Sequence, residues 1–261
     1  LGAAVSAIPK ERRSHIVGFF DGLNEACMVM IHWIMKLAPY AVFALIGAVI
    51  ARFGLDVLRS LLVYVVTVLL GLILHVAITY SAALKLLARR APLAFYRKVR
   101  GVQLIAFSTS SSNATLPLTM ETAEDELGIE KEVSSFVLPL GATINMDGTA
   151  LYQAVATMFI AQVLIGDISL TVQFGIVLTA TLASIGAAGV PSAGIIILVV
   201  VLEGVLAGSG IDPAAGIAMI LGVDRILDMC RTAVNVTGDL TAAAVIERSE
   251  YEHALRGGSA R

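Results

Sequence analysis

Residues 211–247 read IDPAAGIAMILGVDRILDMCRTAVNVTGDLTAAAVIE, an apolar segment interrupted by Asp224, Arg225, Asp228, Arg231, Thr232, Asn235 and Asp239. With each residue turned about 100° from the last, Asp224, Asp228, Arg231, Asn235 and Asp239 share an arc of about 80° on one helix face. Such a stripe has two readings. On a soluble helix it is a face lapped by water. At membrane depth, where charge is costly, it faces a bundle interior or a water-filled cavity and reads as a binding surface. The rest of the chain decides between them.

The 261 residues are 57% hydrophobic and 15% charged, with a mean hydropathy of +0.87. A soluble domain carries about a quarter charged residues, so this chain belongs in a bilayer. A formal net charge of −2 gives no electrostatic footprint for nucleic acid. Cys27 and Cys230 both lie in apolar stretches and offer neither a disulfide framework nor a CxxC metal site. Residues 1–15 (LGAAVSAIPKERRSH) place charge after a short apolar stretch rather than before it, unlike a signal peptide. Without an initiator methionine, the sequence reads as part of a longer protein.

Two plain hydrophobic stretches, 26–51 and 57–88, each exceed the roughly 20 residues that cross a bilayer. His32, Lys36 and His75 interrupt them; packing or snorkelling to the interface is the favoured reading for all three, with a functional role as the alternative. Lys10, Arg12 and Arg13 precede the first stretch and Arg52 and Arg59 follow it, whereas Lys85, Arg89, Arg90, Arg97, Lys98 and Arg100 follow the second. This bias starts the chain in the cytoplasm and returns it there after two spans.

The pattern then changes. Residues 102–120 (VQLIAFSTSSSNATLPLTM) break into a Ser/Thr/Asn tip and a proline, too short to cross cleanly. They suggest a re-entrant hairpin, whose irregular backbone is tolerated only where it lines a protein cavity. An acidic connector, 121–132, leads to a full span at 133–165 broken by GATINMDGT (141–149). The second half repeats the plan: an apolar run at 171–206 is interrupted by SIGAAGVPSAG (184–194), then the polar-faced final span follows. The fold expected is an all-α, multi-span membrane protein with two re-entrant helical hairpins forming an inverted repeat. Discontinuous helices in such repeats surround a midplane substrate site in secondary transporters.

Each motif has a chemistry and a plainer alternative. Ser110, Ser111 and Ser112 offer hydroxyls and free N–H groups that suit an anion at a helix break, or form only a polar linker. Asn145 and Asp147, with carbonyls of Gly141 and Thr143 exposed by local unwinding, are hard oxygen ligands for an alkali cation, or a hydrogen-bonded kink. Arg231 suits a carboxylate, Asp228 an ammonium, Asn235 an α-carboxylate and Asp239 a cation. Together they match an acidic amino acid; alternatively Arg231 and Asp228 form an internal salt bridge without a ligand. The glycines of GAAGVPSAG permit close approach and hinge motion, which reads as a gate or as a passive kink.

Four segments in this order, STSSSNATLPLTM, PLGATINMDGTALYQ, ASIGAAGVPSAG and DRILDMCRTAVNVTGDLTAAAVIERSE, resemble the dicarboxylate/amino acid:cation symporter family, which includes glutamate and aspartate transporters. The resemblance runs from about Phe20 to Glu250. Inverted repeats with broken helices typify this family, so the architectural match belongs to the resemblance and is no separate finding. On it, 1–19 is a cytoplasmic segment, 20–52 resembles the fifth, scaffold-type transmembrane helix and 57–89 the sixth. Residues 92–166 resemble the first hairpin plus the seventh helix, 169–247 the second hairpin plus the eighth helix, and 248–261 a cytoplasmic tail. The four N-terminal helices that supply much of a trimer scaffold are missing.

The resemblance implies substrate contacts at Ser110, Ser112, Thr149, Gly189, Val190, Gly194, Asp228, Arg231, Thr232 and Asn235. It implies one sodium site from Gly141, Asn145, Asn235 and Asp239, and a second from Thr143, Ser184, Ile185 and Ala187 near Met146. A third uses Asn145 and Asp147, with partners outside this sequence. Neutral amino-acid relatives lack an arginine at the position of Arg231. Archaeal members carry an arginine where Ser110 stands, and animal members carry one where Met229 stands; this chain has neither.

The function expected is Na⁺-coupled symport of L-aspartate or L-glutamate by an elevator motion in a multi-pass protein of the cell (inner) membrane. The full-length protein is expected to be a homotrimer, with the lipid bilayer as surroundings, no organic cofactor and no nucleic-acid partner. Proton coupling to glutamate, or carriage of a C4-dicarboxylate, is the alternative. An intramembrane protease is disfavoured because Ser110–Ser112 lack a nearby base and Asp147 lies in NMDG rather than GxGD.

Overall fold

The computed structural model describes Val5, residues 8–207 and residues 212–258. Among the described residues every regular element is helical, as the hydrophobic periodicity requires. The chain divides into two compact units, Leu1–Ala48 and Val49–Arg261.

The first unit holds α1 (Lys10–Lys36) and most of α2 (Ala38–Phe53). The stretch expected as one span from 26 to 51 is therefore split by a turn at Leu37. Its cause is Pro39, which has no N–H and cannot continue the ladder of the preceding turn. The helix restarts with Tyr40 and Ala41 donating to the Leu37 carbonyl. Phe19, Trp33 and Phe43 are exposed on this unit. The side chain of His32 and residues 1–4, 6–7, 208–211 and 259–261 lie outside the described residues.

The second unit opens with α3 (Asp56–Leu74), which passes through a π-helical turn, His75–Tyr80, into α4 (Ser81–Leu86). Val57, Leu61, Tyr64, Val68 and Leu72 recur every three or four residues and are buried, whereas Leu62, Val63, Val66, Leu70 and Ile73 are exposed. One apolar face packs and the other is apolar and open, the pattern of a helix solvated by lipid rather than water. Asp56–Leu86 and Lys131–Ile165 are the two described helical runs long and apolar enough to cross a membrane.

A turn with Arg89 at φ 53° leads to α5 (Pro92–Thr109), which begins with proline, a residue that fits the first helical turn. Helix α6 (Ser112–Glu121) follows, ending in a π turn, Thr122–Glu126. Helices α7 (Lys131–Ile144) and α8 (Asp147–Ile165) are two pieces of one run, interrupted at Asn145–Met146. Helices α9 (Leu170–Ser184) and α10 (Ala193–Leu206) precede the 46-residue α11 (Pro213–Gly258).

Helix α11 runs through both hydrophobic cores. Its first half contributes Ile220, Leu227 and Val234 to a cluster with Tyr64, Val68, Tyr152, Ile160 and Leu198. Its second half contributes Val236, Leu240 and Ala243 to a cluster with Leu84, Val99, Val102 and Leu138. The polar stripe faces inward between these contacts: Asp224, Asp228, Arg231, Asn235 and Asp239 are each at most 3% exposed. That burial excludes the reading of a face lapped by water.

Candidate functional site

Three helix breaks and the buried stripe meet at one place. The first break, between α5 and α6, is sharp: Ser110 is left-handed at φ 53° and Ser111 is extended. Ser111 caps α6 by accepting the N–H of Ala114 at 3.1 Å and donates its hydroxyl to the Gly189 carbonyl at 2.7 Å. The N–H of Asn113 reaches the same carbonyl at 3.1 Å. The first tip is thus bonded to the second.

The second break, 185–192, has no side-chain cap of its own; Ser192, at φ 61°, leads into α10. Here Gly189 is required by close approach, since a Cβ there would lie 2.8 Å from the Ala142 carbonyl and from Asn113 Oδ1. The Ser192 N–H donates to Asp228 Oδ2 at 2.9 Å, tying this tip to α11.

The third break exposes the N-terminus of α8. Its orphan N–H groups are satisfied from α11: Asn235 Oδ1 accepts from Gly148 at 2.8 Å and Thr149 at 3.3 Å. Asn235 Nδ2 donates to Thr149 Oγ1 at 3.0 Å and lies 3.2 Å from Met146 Sδ. A cap supplied in trans fixes the register of α8 against α11.

Between the tips lies a cavity of only ≈ 20 Å³, and every residue expected to touch substrate lines it: Ser110, Ser112, Thr149, Gly189, Val190, Gly194, Asp228, Arg231, Thr232 and Asn235. That is room for about one water. Arg231 donates through Nε and Nη2 to Asp228 Oδ1 at 3.0 and 2.8 Å, its guanidinium lies 4.3 Å over the Tyr152 ring, and Nη1 is 3.9 Å from Asp224. Tyr152 in turn donates to Asp224 at 2.5 Å. Arg231 Nη1 and Ser110 Oγ are buried without a hydrogen-bond partner, a donor and a hydroxyl left over at the walls of the same cavity. The Thr232 hydroxyl is spent on the Asp228 carbonyl. A larger groove of ≈ 750 Å³ lies between α3 and α8 beside Tyr64 and Phe159, and none of these site residues lines it.

Of the residues expected to hold cations, Gly141, Asn145 and Asp239 come together. Asp239 Oδ1 accepts from Asn145 Nδ2 at 2.9 Å, and a Cβ on Gly141 would lie 2.6 Å from the same oxygen. Asn235 sits one turn earlier on α11. Met146 and Ala187 border the small cavity between the tips. Thr143 turns its hydroxyl back to Pro139 and is exposed; Ser184 turns its hydroxyl back to Thr181, and Ile185 is exposed. Among the described residues no three His, Cys, Asp or Glu side chains cluster for a metal ion. A cation here is a problem for carbonyls, amides and one carboxylate, donors suited to an alkali ion.

Asp147 brings a correction. Its Oδ2 accepts the Tyr80 hydroxyl at 2.6 Å and lies 2.8 Å from His75 Nε2. His75, expected to be a packing or interfacial residue, is a direct partner of the NMDG carboxylate. The π turn that begins at His75 sets its ring and that of Tyr80, 4.7 Å apart, on the side of α8. Sequence reading also missed Ser111 and Asn113 as the bridge between tips and Tyr152–Asp224 as the bed of Arg231. Tyr152 stood inside the DGTALYQ motif and Asp224 within the stripe, but neither position states its partner.

Comparison with known sequences now decides the class. Residues 1–249 match the Sodium:dicarboxylate symporter family. The chain belongs to that family. A Caenorhabditis elegans protein provisionally named as the sodium-dependent excitatory amino acid transporter glt-4 is 42% identical over 261 residues, covering 99% of this chain and 51% of the relative. Excitatory amino acid transporter 1 of Mus musculus is 42% identical over 240 residues, 91% of this chain and 43% of the relative. Excitatory amino acid transporter 2 of Mus musculus is 43% identical over 242 residues, 90% and 41% respectively. The chain spans about half the length of the curated relatives it matches. The family is one of symporters and these relatives are named as transporters, which supports a non-enzyme reading over the protease one.

Proposed function

We propose that this chain carries the substrate and cation sites of a Na⁺-coupled symporter for L-aspartate or L-glutamate in the cell (inner) membrane. The observation that carries the reading is the buried Arg231–Asp228 pair at the wall of a cavity between two helix breaks. An acidic amino acid exchanges partners with it: a carboxylate replaces Asp228 at the guanidinium, and an ammonium replaces the guanidinium at Asp228. Neither charge is then left alone in a low-dielectric site, where an unpaired ion costs several kcal/mol. Asp228 favours the amine-bearing ligand over a plain C4-dicarboxylate.

A cavity of ≈ 20 Å³ admits an amino acid only if a wall moves. The 185–192 tip is the moving part in this reading, and the Ser-rich tip is the fixed one. The chain from α5 to α8 and from α9 to α11 is read as two re-entrant hairpins, each with its full helix, in an inverted repeat. Na⁺ is carried as cargo at Gly141, Asn145 and Asp239 with Asn235, and at the NMDG carboxylate Asp147. Thr143, Met146, Ser184, Ile185 and Ala187 furnish a second backbone site once the tip has closed over ligand. Coupling follows because cations stabilise the closed, ligand-holding arrangement. In the full-length protein, a homotrimer in which this core slides past a fixed scaffold as an elevator completes the reading.

Uptake of radiolabelled L-aspartate into liposomes containing the full-length protein tests it. A sodium gradient should drive accumulation. Uptake indifferent to sodium but driven by a proton gradient would replace the ion, and succinate outcompeting aspartate would replace the substrate.

A further inference from the structure

One charge on α11 has no role in the proposed function, that of Arg225. Asp228 is flanked on α11 by two arginines, Arg231 one turn after it and Arg225 one turn before. Arg231 occupies Oδ1. Oδ2 accepts the Ser192 N–H of the second tip at 2.9 Å, with Arg225 Nη1 waiting at 3.9 Å. That Nη1 is buried and has no hydrogen-bond partner, like Nη1 of Arg231. Arg225 does not line the cavity, and its side chain is 27% exposed, so it retains freedom to move.

We propose that Arg225 is a positioning residue that takes over Asp228 Oδ2 when the second tip lifts away, lowering the barrier to opening. The inference rests on reading the 185–192 tip as the gate. When the Ser192 N–H leaves, a buried carboxylate oxygen loses its partner, which is costly. A guanidinium already within 3.9 Å closes that gap by a rotamer change and keeps the oxygen paired throughout the motion. Because its contact with Asp228 is long here, at 3.9 Å, and tightens only when the tip lifts, its removal alters opening more than the affinity of the closed site.

Hydrogen exchange of the backbone amides at 189–194, in the full-length protein in nanodiscs without substrate, reads the opening directly. Arg225→Met should slow exchange at Ser192 about fivefold, the size expected of a part-exposed charge pair, with α3 amides unchanged as a control for folding. Arg225→Lys and the double variant Arg225→Met with Met229→Arg should each recover the parent rate. In liposomes Arg225→Met should lower the maximal uptake rate about fivefold and move KM for L-aspartate by less than about twofold. Unchanged or faster exchange at Ser192 in Arg225→Met would overturn the proposal, as would failure of both recovering variants. A raised KM at unchanged maximal rate would make Arg225 a ligand contact instead. If exchange behaves as expected while the parent protein takes up no L-aspartate, the functional reading falls and the role of Arg225 stands.

Discussion

The two tips that meet over the cavity are built in opposite ways. The first closes in two residues, Ser110 and Ser111, and holds itself with side chains: a serine cap on α6 and a hydroxyl bonded across to Gly189. The second spends eight residues, 185–192, on the same reversal and has scarcely any side-chain chemistry of its own. Besides its own backbone turns, such as Ala187 N–H to Ser184 and Val190 N–H to Ala188, it is fastened by what others offer its backbone, namely Ser111 and Asn113 to the Gly189 carbonyl and Asp228 to the Ser192 N–H. A tip that carries its own bonds moves as a block. One held by backbone bonds to other elements can let go of them without unfolding. This difference in construction supports the proposed roles, the first tip as fixed wall and the second as moving wall.

The largest effect should come from the residue both tips surround. Arg231→Ala strands Asp224 and Asp228 as like charges in a buried site, a loss of about 3–5 kcal/mol, and L-aspartate binding should fall more than about 100-fold by calorimetry. In and just after the second tip the comparison can be sharpened with two glycines. A Cβ at Gly194 would run into the Arg231 guanidinium, whereas one at Gly186 meets only the Ala183 carbonyl at 3.7 Å. Gly194→Ala should weaken binding by about 1–3 kcal/mol, the range for forcing a packed group aside. Gly186→Ala should stay within about 0.5 kcal/mol in the same assay. Equal losses would mean that the tip itself, not the room for Arg231, is what glycine protects.

Ser111→Ala removes the cap of α6 together with the bond to Gly189. It should cost about 1–2 kcal/mol, seen as a lower Tm in detergent and faster amide exchange at Asn113 and Ala114. If exchange rose only at 189–194, the first tip would not depend on its own serine, and the contrast would fail. The smallest effect on binding is expected at Ser192, whose φ of 61° suits glycine better than serine. Ser192→Gly keeps the N–H that Asp228 accepts, so stability should shift by less than about 1 kcal/mol and aspartate affinity should not change.

Much of this organisation was legible in the residues. The 3.6-residue spacing of Asp224, Asp228, Arg231, Asn235 and Asp239 announced an inward polar face, because buried charge at that spacing has nowhere else to go in an apolar chain. Serine, glycine and proline runs marked the interruptions at 110–111 and 185–192, and the GATINMDGT motif at 141–149 marked the third. What the sequence withheld was partnership across long separations. His75 and Asp147 are 72 residues apart, and nothing local to His75 distinguishes a hydrogen-bonded histidine from a packed one. The π turn that orients it leaves no compositional mark. Asn235 looked like a ligand-binding amide, yet its oxygen caps α8 and its nitrogen meets Thr149. A free-standing helix terminus is invisible until its neighbour is known. The helix expected through 26–51 is interrupted at Leu37 for a local reason, since Pro39 was visible but its breaking of the helix was outweighed by the apolar run around it.

The account turns on the Arg231–Asp228 pair being a place held for an acidic amino acid and cations together. Calorimetric titration of the full-length protein with L-aspartate, in sodium and in choline, measures this most directly. The account predicts binding in sodium that weakens about 100-fold when sodium is replaced, the upper range of coupling between sites. Equal affinity in the two buffers, or no heat of binding in either, would contradict it.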